Sequence, residues 1–160
     1  MIRVTIQEDD FQLDELYGEL REQSAAAVGG IAIFVGLVRD RNAKAGTGDA
    51  VSTLTLEHYP GMTEKSIEGI VATAHDKWPL LDTIVVHRVG PLAPTDQIVV
   101  VLCASAHRDA AFAGAQYIMD YLKTDAVIWK KESTAAGDIW IEATSDDRDK
   151  VRDWQARREG

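Results

Sequence analysis

The chain opens on MIRVTI, a short strand pattern. FQLDELYGELRE follows, where Leu13, Leu16, Tyr17 and Leu20 recur at helical spacing. GGIAIFVGLV, Gly29 to Val38, reads as a buried strand, and the charged, small-residue stretch RDRNAKAGTGDA after it reads as a loop. In VSTLTLEHY, Leu54, Leu56 and His58 alternate with Thr53, Thr55 and Glu57, as in a half-exposed strand. Pro60-Gly61 breaks that strand. A helix then runs to about Lys77, with Ile67, Ile70, Val71 and Ala74 as its apolar stripe, and Trp78-Pro79 ends it.

TIVVHRV reads as a further strand, PLAPTD as a turn, and QIVVVLCAS as the most apolar, central strand. A third helix is expected from about His107 to Lys123, with Phe112, Ala115, Met119 and Leu122 on one face and Ser105 as its N-cap. AVIWKKE and DIWIEAT, separated by STAAG, read as a hairpin. A polar last helix begins near Ser145 and carries Trp154 near its end. Paired strands stand between helices without strict alternation, which predicts an α+β fold with a largely antiparallel or mixed sheet. No repeat, low-complexity tract or linker divides the chain, so residues 1–160 are expected to form a single domain.

Composition narrows the class. A chain 46% hydrophobic and 27% charged suits a soluble globular protein, and it has neither an 18-residue apolar run nor a basic-then-apolar leader. The lone Cys103 excludes an internal disulfide and fits a reducing cytoplasm. With 26 acidic residues against 17 basic ones, the net charge of −9 argues against nucleic acid or an anionic membrane as partner. Against that background, local clusters of cations become informative.

Three clusters stand out. In VLCASAHRDAAF, His107 and Arg108 fall in a first helical turn, where cations oppose the helix dipole. A bound anion at that end would make the placement favourable; pairing of Arg108 with a nearby carboxylate is the plainer alternative. In MDYLKTDAVIWKKE, Lys123 suits a helix C-terminus, whereas Ile128, Lys130 and Glu132 share one strand face and Trp129 and Lys131 the other. The two adjacent lysines therefore cannot share an environment. One faces a pocket, where neighbouring cations would lower its proton affinity, or both are solvated hairpin residues. In FVGLVRDRN, Arg39 and Arg41 follow a strand, placed to grip phosphate or carboxylate or to serve as exposed ion-pair partners.

Other features carry less. Cys103, between Leu102 and Ala104, reads as a core residue. His58, His75 and His87 lack zinc-type spacing, GGIAIFVG lacks the GxGxxG pattern, and neither GxxxxGK[ST] nor GxSxG occurs. No metal and no resident cofactor is expected.

Taken in order, FVGLVRDRN, LTLEHYPGMTEKSI, HRVGPL, SAHRDAAFAGAQYIMDYLKT and WKKE closely resemble the catalytic (large) subunit family of molybdopterin synthase, from about Gly29 to Glu142. Two departures are local: Val127 stands where the family usually has proline, and Thr95-Asp96 replaces its glycine-aspartate turn. The resemblance implies an α/β-hammerhead-like fold with an additional small antiparallel β-sheet, and a homodimer within a heterotetramer. Each large subunit would bind a small ubiquitin-like sulfur carrier ending in a Gly-Gly thiocarboxylate. The reaction implied is transfer of sulfur to cyclic pyranopterin monophosphate, forming the molybdopterin dithiolene in molybdenum cofactor biosynthesis. The pocket would lie near the dimer interface.

Residue by residue, the resemblance makes Leu37, Val38, Arg39, His107, Arg108, Lys123, Lys130, Lys131 and Glu132 substrate-binding, with Lys123 and Lys130 catalytic. Arg39, His107 and Arg108 would hold the phosphate, and the lysines would orient the thiocarboxylate and move protons. A non-catalytic adaptor that docks the carrier is the alternative, needing the docking groove but not the basic pocket.

Overall fold

The computed structural model describes residues 1–40 and 50–157. Its elements follow as β1 (Ile2–Gln7), α1 (Leu13–Gln23), β2 (Gly30–Leu37), β3 (Val51–His58), α2 (Met62–Lys77) and β4 (Leu80–Arg88). Then come β5 (Gly90–Leu92), β6 (Gln97–Ser105), α3 (Arg108–Leu122), β7 (Ile128–Thr134), β8 (Gly137–Ile141) and α4 (Ser145–Ala156). The strands form two sheets. One has the order β1-β4-β6-β2, with β1 parallel to β4 and the other pairs antiparallel. The second, β5-β3-β7-β8, is antiparallel throughout. The fold is thus α+β with an added small antiparallel sheet.

QIVVVLCAS reads as an unbroken apolar run because β6 is covered on both faces. Val99, Val101 and Cys103 pack with Ile67, Val71 and Ile118 from α2 and α3. Val100, Leu102 and Ala104 pack with Leu16 and Leu20 of α1. Each such aliphatic side chain contributes about 1.5–3 kcal/mol by leaving water. A smaller cluster of Val38, Leu56, Val89 and Leu92 joins the two sheets. Among the described residues, no helix is long and apolar enough to cross a membrane.

Four local expectations are corrected. GGIAIFVGLV is not buried throughout: β2 is an edge strand, and Ile33, Phe34 and Leu37 are exposed. On α3, Phe112 is 64% exposed, and the buried stripe runs through Ala111, Ala115, Ile118 and Leu122. Helical spacing permits either face; the position of β6 selects one. Ser105 is not the N-cap. Its hydroxyl donates to the Pro79 carbonyl at 2.9 Å, and His107 takes the cap position without a side-chain cap bond. Finally, PLAPTD contributes its first residues to β5, paired with β3.

Two features hold the segment between α3 and β7. Thr63, fully buried at the start of α2, donates from Oγ1 to the Val127 carbonyl (2.7 Å) and accepts from the Tyr59 amide (2.9 Å). Beyond β8, Thr144 and Asp147 cap α4 reciprocally, each side chain accepting from the other's backbone N–H at 3.1 and 3.2 Å. Both fix backbone that lines one large cavity.

Candidate active site

Where the end of β2, the end of α3, β7 and the start of α4 meet, they enclose an open cavity of about 990 Å³. Leu37, Val38 and Arg39 enter it from β2 and the residues just after. Val38 is pinned there, donating to the Asp96 carbonyl at 2.9 Å and accepting from the Thr95 amide at 2.8 Å. Lys123, the C-cap of α3, also lines it, at a helix end where the dipole favours a cation.

β7 settles how its two lysines are disposed. Register with β3 and β8 pairs Lys130 with Leu56 and Ile141, and Lys131 with Thr55 and Trp140. Alternation then sends Lys130 and the buried Glu132 into the cavity, while Lys131 lies on the other face with its Nζ 5.6 Å from the centre of the Trp140 ring. Lys131 lines no part of the cavity. Burial, reinforced by the charge of Lys123 and opposed by Asp147, pulls the Lys130 ammonium down to about 8.

His107 and Arg108 are not brought to this cavity within the chain. They sit exposed at the N-terminal end of α3, and Lys123 follows its other end, about 20 Å away along the helix. Arg41 lies outside the described residues. Cys103 is fully buried, and burial pushes its thiol up to about 11, as suits a packing residue.

Pattern reading passed over two groups here. His87, near the end of β4, is 5% exposed and lines the cavity. The available signal was alternation in TIVVHRV, which puts His87 on the face of Thr83 and Val85. Burial pulls its imidazole down to about 4; a bond to the Arg88 carbonyl opposes this and the charge of Lys130 adds to it. Asp147 also lines the cavity. Burial pushes its carboxyl up, but bonds from Thr144 and the charges of Lys123 and Lys150 outweigh that, for a net lowering. Among the described residues, no group of three His, Cys, Asp or Glu side chains is placed to hold a metal ion.

The cavity between the two sheets of this α+β chain thus gathers Arg39, Lys123 and Lys130, and Lys130 holds its proton less tightly than an ordinary lysine. The profile of the MoaE protein family matches residues 6–125. The molybdopterin synthase catalytic subunit of Ralstonia nicotianae is 47% identical over 154 residues, spanning 96% of this chain and 85% of that one. In three dimensions, a molybdopterin biosynthesis MoaE protein from Burkholderia ambifaria superposes with a TM-score of 0.81 at 45% identity, covering 97% of this chain and 99% of that one. A chain of the complex of subunits 1 and 2 of molybdopterin-converting factor from Helicobacter pylori shares the fold at 19% identity, with a TM-score of 0.67 and coverage of 86% and 88%. The chain belongs to the MoaE protein family.

Proposed function

We propose that this chain is the catalytic subunit of a molybdopterin synthase. It takes sulfur from the C-terminal thiocarboxylate of a small ubiquitin-like carrier and places it on cyclic pyranopterin monophosphate. The observation that carries the reading is the convergence of Arg39, Lys123 and Lys130 on one cavity, with Lys130 tuned towards neutral pH. The sulfur nucleophile belongs to the carrier, so the chain needs no cysteine or serine of its own. Arg39 offers a planar fork to phosphate oxygens and offsets charge as the cyclic ester opens. Lys123 holds the thiocarboxylate by charge; Lys130, able to lose its proton, serves the proton transfers as sulfur adds and water leaves.

His107 and Arg108 enter this scheme through a second copy of the chain, because one protomer keeps them at the far end of α3. The assembly is then a homodimer of large subunits with a carrier on each, a heterotetramer. The Helicobacter complex supports a small-subunit partner for a chain of this fold.

The test is reconstitution. Purified chain, thiocarboxylated carrier and pyranopterin are mixed and molybdopterin is assayed, with Lys130→Ala alongside. Wild-type turnover and a loss of 100-fold or more in the variant are expected, the scale of a lost acid–base group. Undiminished turnover in Lys130→Ala would remove the lysine from the mechanism. Carrier binding without any turnover would leave the docking-adaptor reading.

A further inference from the structure

His87 presents an unused hydrogen-bonding atom to the cavity. Its Nδ1 lies 2.8 Å from the Arg88 carbonyl oxygen, which can only accept, so Nδ1 carries the proton and donates it. Nε2 is therefore the lone-pair nitrogen, and no described residue bonds to it. The ring is 95% shielded from solvent, yet its side chain forms part of the cavity wall. Among the described residues Arg3 Nε is the one buried side-chain nitrogen or oxygen without a partner, so Nε2 is not sealed off by protein and stands open to accept from a bound donor.

The ring is also held firmly. β4 is paired on both sides at this point, His87 facing Ile6 of β1 and Val99 of β6. The next residue, Arg88, clamps the strand end. Its guanidinium donates to the Glu8 carbonyl at 2.9 and 3.1 Å and to the Gln97 carbonyl at 3.0 Å. A fixed tautomer on a fixed ring suits recognition.

We infer that His87 is a ligand-binding residue whose Nε2 accepts a hydrogen bond from an N–H of the bound heterocycle. This inference rests on the pyranopterin reading and adds a neutral contact to it. The charged groups around His87 are spoken for by other chemistry. Lys123, Lys130 and Arg39 are donors suited to phosphate and thiocarboxylate, and Glu132 and Asp147 carry carboxyl groups. A reduced pterin carries several N–H donors, whereas a cyclic phosphodiester anion has none. The two halves of such a substrate therefore need opposite partners, and His87 is the neutral acceptor on the wall. Burial and Lys130 hold the imidazole at about 4, so Nε2 stays an acceptor throughout the neutral range.

The test compares wild type, His87→Phe and His87→Gln for binding of cyclic pyranopterin monophosphate, with inorganic sulfate, an anion without donors, as the control ligand. Phe keeps bulk and loses the acceptor; Gln restores an oxygen at about the same reach. Expected are pyranopterin binding weaker by about 10-fold in His87→Phe, recovery to within about 3-fold in His87→Gln, and sulfate binding unchanged in both. Nitrogen NMR of wild type should show the Nε2 resonance shifting on pyranopterin binding and not on sulfate binding. Unchanged pyranopterin affinity in His87→Phe overturns the inference, as does equal loss of both ligands, which would mark a packing role. Failure of wild type to bind pyranopterin at all sinks the functional reading, and the ligand named here with it.

Discussion

The indole of Trp154 donates a 2.8 Å hydrogen bond to the Asp120 carboxylate, with both residues buried. The bond ties α4 to α3 and thereby sets the start of α4, with Asp147, against the cavity that Lys123 lines. The indole also packs edge-on against Trp78 and Tyr117, at 5.3 and 5.5 Å between ring centres. Trp154→Phe retains an aromatic ring but strands the carboxylate. The expected cost is about 2–3 kcal/mol in urea unfolding, against about 1 kcal/mol for Asp120→Asn, whose amide oxygen still accepts. Equal costs would mean that packing, not the bond, holds α4.

The two lysines of β7 should separate cleanly in the reconstituted assay. Lys130→Ala is expected to lose at least 100-fold in turnover, and Lys131→Ala less than about 3-fold, since Lys131 lies over Trp140 on the opposite face. Lys130→Arg should remain impaired, because guanidinium keeps its charge at all working pH values. A defect in Lys131→Ala as large as that of Lys130→Ala would contradict the facing read from the strand register.

His87 makes stability depend on acid. Its folded value is depressed to about 4, below the ordinary 6.5, so the unfolded chain binds the proton more readily between those values. The contribution is fully present above about pH 6.5 and is lost as pH falls towards 4. Unfolding free energies of wild type from urea titrations should drop across that window by on the order of 2–3 kcal/mol more than those of His87→Gln. Parallel curves for the two proteins would show that the imidazole is not held neutral.

Thr95 has φ of +76°, a left-handed conformation that a β-branched residue adopts only under strain. Glycine, usual at this turn in the family that the sequence resembles, takes that conformation freely. Thr95→Gly is expected to raise stability by about 1 kcal/mol, read as a higher midpoint with an unchanged slope. The turn bonds Val38 on both sides, so substrate affinity should stay within about 2-fold.

Thr63 links Tyr59 to Val127, which lines the cavity. Thr63→Val keeps the shape and leaves a backbone donor and acceptor without partners, at an expected cost of about 2 kcal/mol. Val127→Pro removes only a 3.3 Å bond from its amide to the Ser66 hydroxyl and should cost less than about 1 kcal/mol. The reverse order would show that the clamp lies at Ser66.

Much of this protein was legible along the chain. Short-range periodicity marked the strands and helices, because burial on one side leaves its imprint every second or every third to fourth residue. The same alternation required Lys130 and Lys131 to face apart, and the motifs from FVGLVRDRN to WKKE identified the family. What the pattern left undecided was everything that depends on a neighbour. Ile33 and Phe34 look like core residues until β2 proves to be an edge, and Phe112 fits an apolar stripe that β6 places elsewhere.

The candidate site divides in the same way. Sequence by itself determined which residues carry useful charge and which of two adjacent lysines must differ from the other, since those follow from side-chain chemistry and strand geometry. Only the tertiary structure decided that Lys130 is the inward one, that Lys123 and Asp147 act on its proton, and that His107 and Arg108 lie a helix length away. It alone brought in His87, a buried base with one nitrogen bonded and one open. Proton affinity and hydrogen-bond vacancy are set by burial and by charges distant in sequence, and those distances exist only once the chain has folded.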